Sequence, residues 1–261
     1  MQKNNSIKVS VIMNCHNGAN YLSDSIKSLL KQKYKNWELI FWDNMSLDNS
    51  KQILLNFKDK RIKYFKSKKF TSLYKARNMA IKKANGKFIC FLDTDDWWSP
   101  DKLKEQINLV LKNKNANFIY SNFYEFDQNK NKTKIKYTEE LPSGLITEFL
   151  LKEYKVGILT VMINKKIFKY KKFNEKFNII GDFDFFINLS LKEKFLCVQK
   201  PLAHYRYHNK NFSRKISIYQ NELNIWLLEN ENRFSKLGYS LRHIKLNYLK
   251  IKIKKALSYV F

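Results

Sequence analysis

The densest group of acidic side chains in this 261-residue sequence follows an apolar run and precedes two tryptophans. Asp93, Asp95 and Asp96 stand close together, and carboxylates at such spacing repel one another unless a cation or basic side chains lie beside them. Carboxylate oxygens suit Mg²⁺ or Mn²⁺, and an ion held here would bridge to a diphosphate. A helix that begins near Pro100 needs at most one of these acids as a cap. We therefore predict a structural role for Asp96 and a ligand-binding role for Asp93 and Asp95.

The elements that must position these residues alternate along the first half of the chain. Strand-like runs are predicted at residues 7–13, 37–42, 62–65 and 88–92, and helices at 21–31, 46–57, 72–84 and 100–111. Such alternation predicts an α/β fold with a largely parallel sheet. Ligands bind beyond the carboxyl ends of the strands in such sheets, and that is where residues 14–17, Asp43 and residues 93–96 stand.

The second half of the chain has a less regular pattern. Its residue types favour strands at 118–126 and 159–163, a polar basic loop at 129–136, and helices at 182–191 and 213–234. A basic, apolar tail follows from residue 240. Neither a repeat nor a Gly/Ser linker divides the chain. We therefore predict one globular unit over residues 1–212 and a helical basic extension over 213–261.

Taken together, these segments resemble the family 2 inverting glycosyltransferases, which have the GT-A fold, a Rossmann-like nucleotide-binding sheet. The resemblance is carried by residues 14–17 after the first strand, 37–48 (WELIFWDNMSLD), 76–78 (ARN) and 84–96 (ANGKFICFLDTDD), in the family's order and spacing. It runs from residue 8 to 111 and resumes in short patches to 213. It implies a UDP-sugar as donor, a nucleotide-sugar half over residues 1–115 and an acceptor half over 116–212.

The resemblance also implies which side chains bind the nucleotide. Asp43 would accept a hydrogen bond from the uracil ring, and the alternative is that it caps the following helix. His16 would stack on the base, because the family usually reads Pro-Thr-Tyr-Asn at this strand end. Asn14 and Asn17 would lie against the nucleotide beside it. The family often has a second acid where this chain has Asn44, so that contact is altered or lost.

A diphosphate and metal site is implied in the same way. Arg77 would neutralise the diphosphate, unless it forms an ordinary surface ion pair. Asp93 would contact the ribose or the metal, and Asp95 would coordinate Mg²⁺ or Mn²⁺, a Lewis acid that stabilises the departing UDP. The segment around Arg206 and His208 is similar to the family's Tyr-Arg-x-His segment. His208 would be a metal ligand or touch the diphosphate.

An inverting transfer also needs a carboxylate that takes the proton from the acceptor hydroxyl. The family supplies it from a Glu-Asp pair that opens a helix; here Gly181 replaces the Glu and Asp182 matches the base. Asp184 is the main competitor, but residues two apart lie about 200° apart around a helix and cannot both face one site. Arg206 would pair with the diphosphate or with Asp182. Because Gly181 departs from the pattern, a protein that binds UDP but has lost transferase activity is an alternative.

The net charge of +27 comes from 50 Lys and Arg against 23 Asp and Glu. Such a charge fits nucleic acid, an anionic membrane surface or an anionic substrate, although a Lys-rich composition could also arise without any ligand. The basic residues are overwhelmingly Lys, whereas nucleic-acid sites depend mainly on Arg. We therefore expect no nucleic acid as a partner. A basic nucleic-acid-binding protein is the alternative from a different class.

The basic tail is the part of the sequence that suggests a location. After Glu231 it has eight Lys and Arg and no acid, and its apolar residues do not gather on one narrow helical face. This composition fits docking on an anionic inner leaflet, where each basic residue contributes about 1 kcal/mol, or equally a solvated helix packed on the domain. We expect a cytoplasmic enzyme, peripheral on the inner face of the membrane, that acts on a lipid-linked glycan acceptor in bacterial surface-polysaccharide synthesis.

Overall fold

The computed structural model describes residues 6–257, with side chains through residue 253. The strands are β1 (Val9–Cys15), β2 (Trp37–Asp43), β3 (Ile62–Lys66), β4 (Phe88–Phe91), β5 (Trp97–Trp98), β6 (Phe118–Asp127), β7 (Lys132–Ile135), β8 (Met162–Asn164) and β9 (Phe195–Tyr207). The helices are α1 (Ala19–Leu30), α2 (Ser50–Leu55), α3 (Leu73–Ile81), α4 (Lys102–Lys112), α5 (Thr147–Lys152), α6 (Gly181–Ser190), α7 (Ile216–Lys236) and α8 (Arg242–Leu257). The strands join in one sheet of order β3-β2-β1-β4-β8-β6-β9-β5, with β7 paired to β6. The α/β fold class is confirmed.

The first half of the sheet is parallel, as predicted. β1 pairs in parallel with β2 and β4, and β2 pairs in parallel with β3. Alternate side chains of β1 enter two separate cores, Val11 with Leu22 of α1 and Ile12 with Ala80 of α3. Helices on both faces explain why β2 is buried at every position. Because parallel strands all end at one edge, the loops after β1, β2 and β4 meet there.

The second half is joined to the first by antiparallel pairing. β8 pairs antiparallel with both β4 and β6, and β9 then runs parallel to β6. The sequence did not predict β9, although it is a strand of 13 residues. Its register against β6 shifts between Val198 and Pro201. Pro201 has no N–H to donate, and such a bulge interrupts the alternation by which a strand is normally recognised.

Three local predictions in the loops were wrong. The basic loop at 129–136 contains β7, which forms a hairpin with β6. The helix predicted at 46–57 is confined to α2, because Asp43 accepts from the Ser46 N–H and Asp48 accepts from the Ser50 N–H, and these bonds hold a turn ahead of the helix. The strand predicted at 159–163 begins as a 3₁₀ turn, and only Met162–Asn164 is extended.

The C-terminal helices pack against the rest of the fold. Trp226 and Phe234 of α7 are fully buried and share a core with Phe186 of α6. The predicted C-terminal extension is therefore helical, and its inner side lies in the common core. Its boundary at residue 213 stays a prediction. Residues 1–5 and 258–261 of the predicted units lie outside the described residues. Within residues 6–257, no helix has the length and apolar character needed to cross a bilayer.

At the amino edge of the sheet, Glu38 is buried at the start of β2. Its carboxylate accepts hydrogen bonds from the Ser10 hydroxyl at 2.6 Å, the Asn85 N–H at 2.6 Å and Lys63 Nζ at 2.7 Å. Lys8 Nζ lies 3.2 Å away. Burial alone would raise the pKa of Glu38, but these donors together lower it to about 2. This acid joins β1, β2, β3 and the turn before β4 while it is charged.

Candidate active site

A cleft of about 510 Å³ opens at the carboxyl edge of β1 and β4. Its walls come from the loops after β1, β2 and β4, from α3 and from the first turn of α6. Six side chains proposed from the sequence line it: Asn14, His16, Arg77, Asp93, Asp95 and Asp182. Four others lie around it without belonging to its lining: Asn17, Asp43, Arg206 and His208. Parallel strand ends bring the first group together, and α6 delivers Asp182 from the second half of the chain.

Arg77 lies almost fully buried under the cleft, with 2% of its surface exposed. Its Nη2 donates to both carboxylate oxygens of Asp93, at 2.8 and 2.9 Å. The pair is therefore not the exposed surface ion pair that the sequence left open, because such pairs are solvated on both sides. Arg77 fixes the orientation of Asp93 and places a permanent positive charge in the cleft.

Asp95 is held by the segment that follows β9. His208 Nε2 lies 3.1 Å from Asp95 Oδ2, and Asn211 Nδ2 donates to the same oxygen at 3.3 Å. The Lys210 N–H donates to His208 Nδ1 at 3.2 Å, so the imidazole proton is on Nε2 and points to Asp95. Burial raises the pKa of Asp95, and the nearby charge of Asp93 raises it further. In this arrangement His208 positions Asp95.

Residues 6–257 contain no ready-made group of three His, Cys, Asp or Glu side chains for a metal ion. The side chains present nevertheless fit Mg²⁺ or Mn²⁺, since such ions bind through one or two carboxylates and complete their shell with water and substrate phosphates. A cation shared by Asp93 and Asp95 would also offset the repulsion that raises the pKa of Asp95. Coordination by Asp93, Asp95 and His208 stays a prediction.

Arg206 braces the acidic loop from behind. Its Nε donates to the Asp95 carbonyl at 2.9 Å and its Nη2 to Asp24 at 3.0 Å, while the guanidinium stacks over the Trp97 ring at 4.7 Å. The Arg206 N–H also donates to buried Asp96 at 2.9 Å, so Asp96 ties the acidic loop to β9, whereas the N-cap position of α4 is Asp101. Arg206 is a positioning residue, and the contact with Asp182 that the sequence allowed is not among the bonds of the described side chains.

Asp182 lies in the first turn of α6, where that helix reaches the cleft. The Tyr74 hydroxyl donates to its Oδ1 at 3.0 Å, and the Phe183 N–H donates to the same oxygen at 2.9 Å. Burial raises the pKa of Asp182, while the charge of Arg77 and the hydrogen bond from Tyr74 oppose that rise. A carboxylate with a raised pKa at a cleft wall is suited to accept a proton.

Tyr74 explains why glycine precedes Asp182. A Cβ at Gly181 would stand 2.3–2.6 Å from three carbon atoms of the Tyr74 ring, closer than any side chain tolerates. The ring therefore occupies the space beside Asp182, and its hydroxyl bonds to that acid. Sequence reasoning missed Tyr74. The available signal was its position three residues before Arg77 on the predicted helix, a spacing that puts both residues on one face.

Asp184 is turned to the other side of α6. Its Oδ1 accepts from Trp226 Nε1 at 3.0 Å and from Asn188 Nδ2 at 2.8 Å. It is buried and does not belong to the cleft lining. The two acids therefore face different surroundings, as their spacing requires, and Asp182 is the one that reaches the cleft. Its role as the base stays a prediction.

An aromatic pair stands at one end of the cleft. The rings of His16 and Phe70 lie 4.6 Å apart between centroids, and Phe70 is 62% exposed although it lines the cavity. Asn44 fixes the segment after Phe70, since its Nδ2 donates to the Thr71 carbonyl at 2.9 Å and its Oδ1 accepts from the Thr71 N–H at 3.2 Å. An ionised acid at this position could only accept hydrogen bonds, whereas the Asn44 amide both donates to and accepts from the Thr71 backbone. Phe70 was missed because no motif marks it.

Asn14 has an unsatisfied side chain in the same cavity. Its Nδ2 and Oδ1 are both buried, and neither has a hydrogen-bond partner within the described part of the chain. Buried polar atoms are normally hydrogen-bonded, so each exception requires an explanation. Because Asn14 lines the cleft, a polar ligand would supply the missing partners.

Asn17 and Asp43 support the loops around the cleft. Asn17 has a left-handed backbone with φ of 57°, and its Oδ1 accepts from the Leu47 N–H at 2.8 Å. Asp43 is 2% exposed and accepts from the Ser46 N–H and the Tyr64 hydroxyl, both at 2.7 Å. Each of its two oxygens has one of these donors and could accept another hydrogen bond. The nucleotide contacts of Asn17 and Asp43 stay predictions.

The chain is similar in sequence to known proteins. The family model for glycosyl transferase family 2 matches residues 10–195. WfgD of Escherichia coli, a UDP-Glc:alpha-D-GlcNAc-diphosphoundecaprenol beta-1,3-glucosyltransferase, is 40% identical over 159 residues, which are 61% of this chain and 61% of that protein. An uncharacterized glycosyltransferase of Haemophilus influenzae is 33% identical over 237 residues, 88% of this chain and 90% of the other. The chain therefore spans less than two thirds of the length of WfgD.

The fold is shared with a solved structure. S. aureus TarS, residues 1–349 in complex with UDP, superposes with a TM-score of 0.64 at 19% identity, over 83% of this chain and 65% of that one. At this identity the likeness shows the GT-A fold alone. The family model, however, covers most of the chain, from within β1 to the end of α6, and includes Asp43, Asp93, Asp95 and Asp182. The chain belongs to glycosyl transferase family 2.

Proposed function

We propose that the protein is an inverting, metal-dependent glycosyltransferase that moves a sugar from a UDP-sugar to a hydroxyl of a lipid-linked glycan. The observation that carries this proposal is the convergence of the Arg77–Asp93 pair, Asp95 and Asp182 on one cavity. The cavity thus offers a diphosphate both a buried cation and carboxylates that suit Mg²⁺ or Mn²⁺. It also offers a hydroxyl group a base whose pKa is raised.

The chemistry exchanges one bond at the anomeric carbon for another. The acceptor oxygen forms its bond to that carbon while the bond from the carbon to the β-phosphate oxygen breaks, and the electron pair leaves with UDP. Asp182 takes the proton of the acceptor hydroxyl. Arg77, through its fixed charge beside Asp93, favours the negative charge that develops on the diphosphate. A Mg²⁺ or Mn²⁺ ion bound by Asp93 and Asp95 would supply Lewis-acid stabilisation of the departing UDP.

The nucleotide end of the cleft suits a uridine. The exposed ring of Phe70 and the ring of His16 can pack on the faces of a planar base. The buried amide of Asn14 has a donor and acceptors to offer a base or ribose. WfgD, by its name, uses UDP-Glc, and this supports uridine as the nucleoside of the donor.

The acceptor class is inferred from the relatives. WfgD acts, by its name, on GlcNAc linked to diphosphoundecaprenol and forms a β-1,3 bond. A second relative, TuaG of Bacillus subtilis, 32% identical over 160 residues, is named as a putative teichuronic acid biosynthesis glycosyltransferase. We infer an acceptor of the same class here, a hexosamine on a polyprenyl diphosphate. The donor sugar would be a hexose or an N-acetylhexosamine.

Helix α8 has two apolar stripes, and the exposed one suits contact with a membrane surface. The inner stripe, Ile244, Tyr248 and Ile251, packs on the core. The outer stripe, Leu246, Leu249 and Ile253, is 44–60% exposed and lies within about 60° of helix surface. Two separate stripes explain why the sequence shows no single apolar face.

Basic side chains flank the outer stripe. Arg242, Lys250 and Lys252 are exposed beside it. Apolar residues between exposed basic ones fit an anionic lipid surface, to which each nearby charge contributes about 1 kcal/mol. We propose that α8 docks the enzyme on the membrane that holds its lipid-linked acceptor.

The test measures UDP release from a panel of UDP-hexoses and UDP-N-acetylhexosamines. The acceptor is GlcNAc linked through an α-diphosphate to a short alkyl chain, with Mn²⁺ or with EDTA. We expect release from at least one donor, dependent on both metal and acceptor, and a β-linked product by NMR from the α-linked donor. UDP binding without release would mean that the fold has lost transfer. Salt-sensitive retention on DNA, with no thermal shift from UDP and Mn²⁺, would favour the nucleic-acid alternative.

A further inference from the structure

A second cavity, of about 500 Å³, shares Asp182 with the cleft. Helices α5, α6, α7 and α8 form its walls, and we refer to it as the α5–α8 cavity. Ile179, Asp182 and Ser213 line both cavities, so the two meet at these residues. Asp182 is the one acid common to both linings, and it can be reached from either side.

The walls of the α5–α8 cavity combine apolar surface with polar side chains. Leu150, Phe183 and Leu223 supply apolar surface, while Asn247 and His243 stand at its α8 rim. The charged groups at the opening are already paired. Lys152 lies 3.0 Å from Glu148, and Glu153 lies 2.8 Å from Lys155. Such a lining suits a sugar ring, which has an apolar face and uncharged hydroxyls, better than it suits a diphosphate.

Tyr154 gives this cavity a polar group beside Asp182. Its hydroxyl oxygen is buried and makes no hydrogen bond of normal geometry within residues 6–257, although the Asp182 carboxylate lies close enough to act on it as an acceptor. Burial raises the pKa of this phenol well above its usual range, and the charge of nearby Asp182 raises it further. The hydroxyl therefore stays protonated and is available to a ligand beside Asp182.

An inverting displacement needs room for the acceptor beside the base. In an inverting transfer the acceptor oxygen approaches the anomeric carbon from the side opposite the departing UDP, and the base stands beside that oxygen. Pockets for small ligands measure about 300–1,000 Å³, so a cleft of 510 Å³ suits a nucleotide sugar. The α5–α8 cavity reaches the same base.

We propose that the α5–α8 cavity binds the terminal sugar ring of the acceptor, with Tyr154 and Asn247 contacting its hydroxyls and its reactive hydroxyl at Asp182. This assignment rests on the proposed function. It also makes α8 serve two purposes, since Ile244 and Asn247 wall the cavity while the outer stripe faces away from it. The lipid of an acceptor seated there would leave the protein beside the surface proposed to touch the membrane.

The test fills the cavity from its rim without disturbing the core. Asn247 is exposed on α8, so Asn247→Trp places a large ring at the opening. Asn232→Trp is the matched control, because Asn232 is exposed on α7 and lines neither cavity. Binding of the alkyl diphosphate-linked GlcNAc probe and of UDP with Mn²⁺ is measured by titration for both variants and the wild-type protein. We expect Asn247→Trp to weaken probe binding at least about tenfold, with UDP binding unchanged and Asn232→Trp like wild type.

A second variant removes only one hydroxyl. We expect Tyr154→Phe to raise KM for the acceptor several-fold, with little change in kcat, in KM for the donor or in the melting temperature. Wild-type binding of the probe by Asn247→Trp would overturn the assignment, and so would failure of the wild-type protein to bind the probe while UDP still binds. Loss of UDP binding by the wild-type protein would instead contradict the donor site, so the two proposals fail in different ways.

Discussion

Two acidic sites at opposite edges of one sheet differ in how completely their carboxylates are satisfied. At the amino edge, Glu38 has donors from a hydroxyl, a backbone N–H and lysines, and its pKa falls to about 2. At the carboxyl edge, Asp95 and Asp182 are half-buried with fewer donors, and their pKa values are raised. The first arrangement favours the charged carboxylate strongly, and the second disfavours it.

The difference separates stability from chemistry. A carboxylate with all its donors in place stabilises the folded chain but has nothing left to offer a ligand. A carboxylate left short of donors destabilises the fold slightly and is ready for a cation or a proton. We therefore expect substitutions at the amino edge to change stability, and substitutions at the carboxyl edge to change turnover.

Asp95→Asn is expected to have the largest effect, a loss of turnover at the carboxyl edge. The change keeps the shape of the side chain but removes the charge that would hold the metal. A metal contribution of several kcal/mol corresponds to about a thousandfold in kcat/KM. UDP release at saturating Mn²⁺ measures it, and the thermal shift with UDP and Mn²⁺ should shrink in parallel. Metal-dependent turnover at the wild-type rate would contradict this role.

Glu38→Gln is expected to lower stability and to leave turnover unchanged. The amide keeps the size of the side chain but loses its charge, and the free energy of unfolding in urea should fall by about 2 kcal/mol. The rate per folded molecule should not change. Glu148→Gln is the control, because it breaks only an exposed pair with Lys152 and should cost below about 0.5 kcal/mol. Equal costs for the two variants would remove the distinction between the edges.

The pH dependence of Glu38→Gln gives a further check within the same experiment. Because the folded pKa of Glu38 lies near 2 and its ordinary value is 4.5, its contribution is complete above pH 4.5 and disappears as the pH falls towards 2. The stability gap between wild type and variant should therefore close on acidification. A gap that is constant with pH would mean that packing, and not charge, carries the effect.

A smaller effect is expected from Tyr74→Phe. Phenylalanine keeps the ring against Gly181 but removes the hydrogen bond that favours the charged form of Asp182. The pKa of Asp182 should rise further, so the acidic limb of kcat should move to higher pH. Turnover at neutral pH should fall by about tenfold, the equivalent of one lost hydrogen bond to a charged group. A lower rate without a shifted limb would assign Tyr74 a purely structural role.

The sequence predicted the parallel half well because its signals are local. The strands there are short segments rich in apolar residues, Asp93 and Asp95 follow the end of one of them, and Arg77 lies on a predicted helix. Asp182 was identified as the candidate base by its position in the family's Glu-Asp motif. Its spacing from Asp184 on a helix correctly predicted that the two acids face different surroundings.

The rest of the site depends on contacts between distant segments. Tyr74 meets Gly181 across the fold, Asn211 reaches Asp95 from beyond β9, and Phe70 stands in a loop without regular structure. None of these contacts leaves a periodic trace in the sequence. β9 escaped notice because its bulge near Pro201 breaks the alternation of a strand.

The role of Asp182 is tested most directly by a comparison of Asp182→Asn with Asp184→Asn. The two substitutions are identical and two residues apart, and both proteins are checked for a native melting temperature and for UDP binding. We predict that kcat for UDP release falls about 10²- to 10⁴-fold in Asp182→Asn and stays near the wild-type value in Asp184→Asn. Wild-type turnover in folded Asp182→Asn, or loss of turnover in folded Asp184→Asn alone, would contradict the assignment of the base.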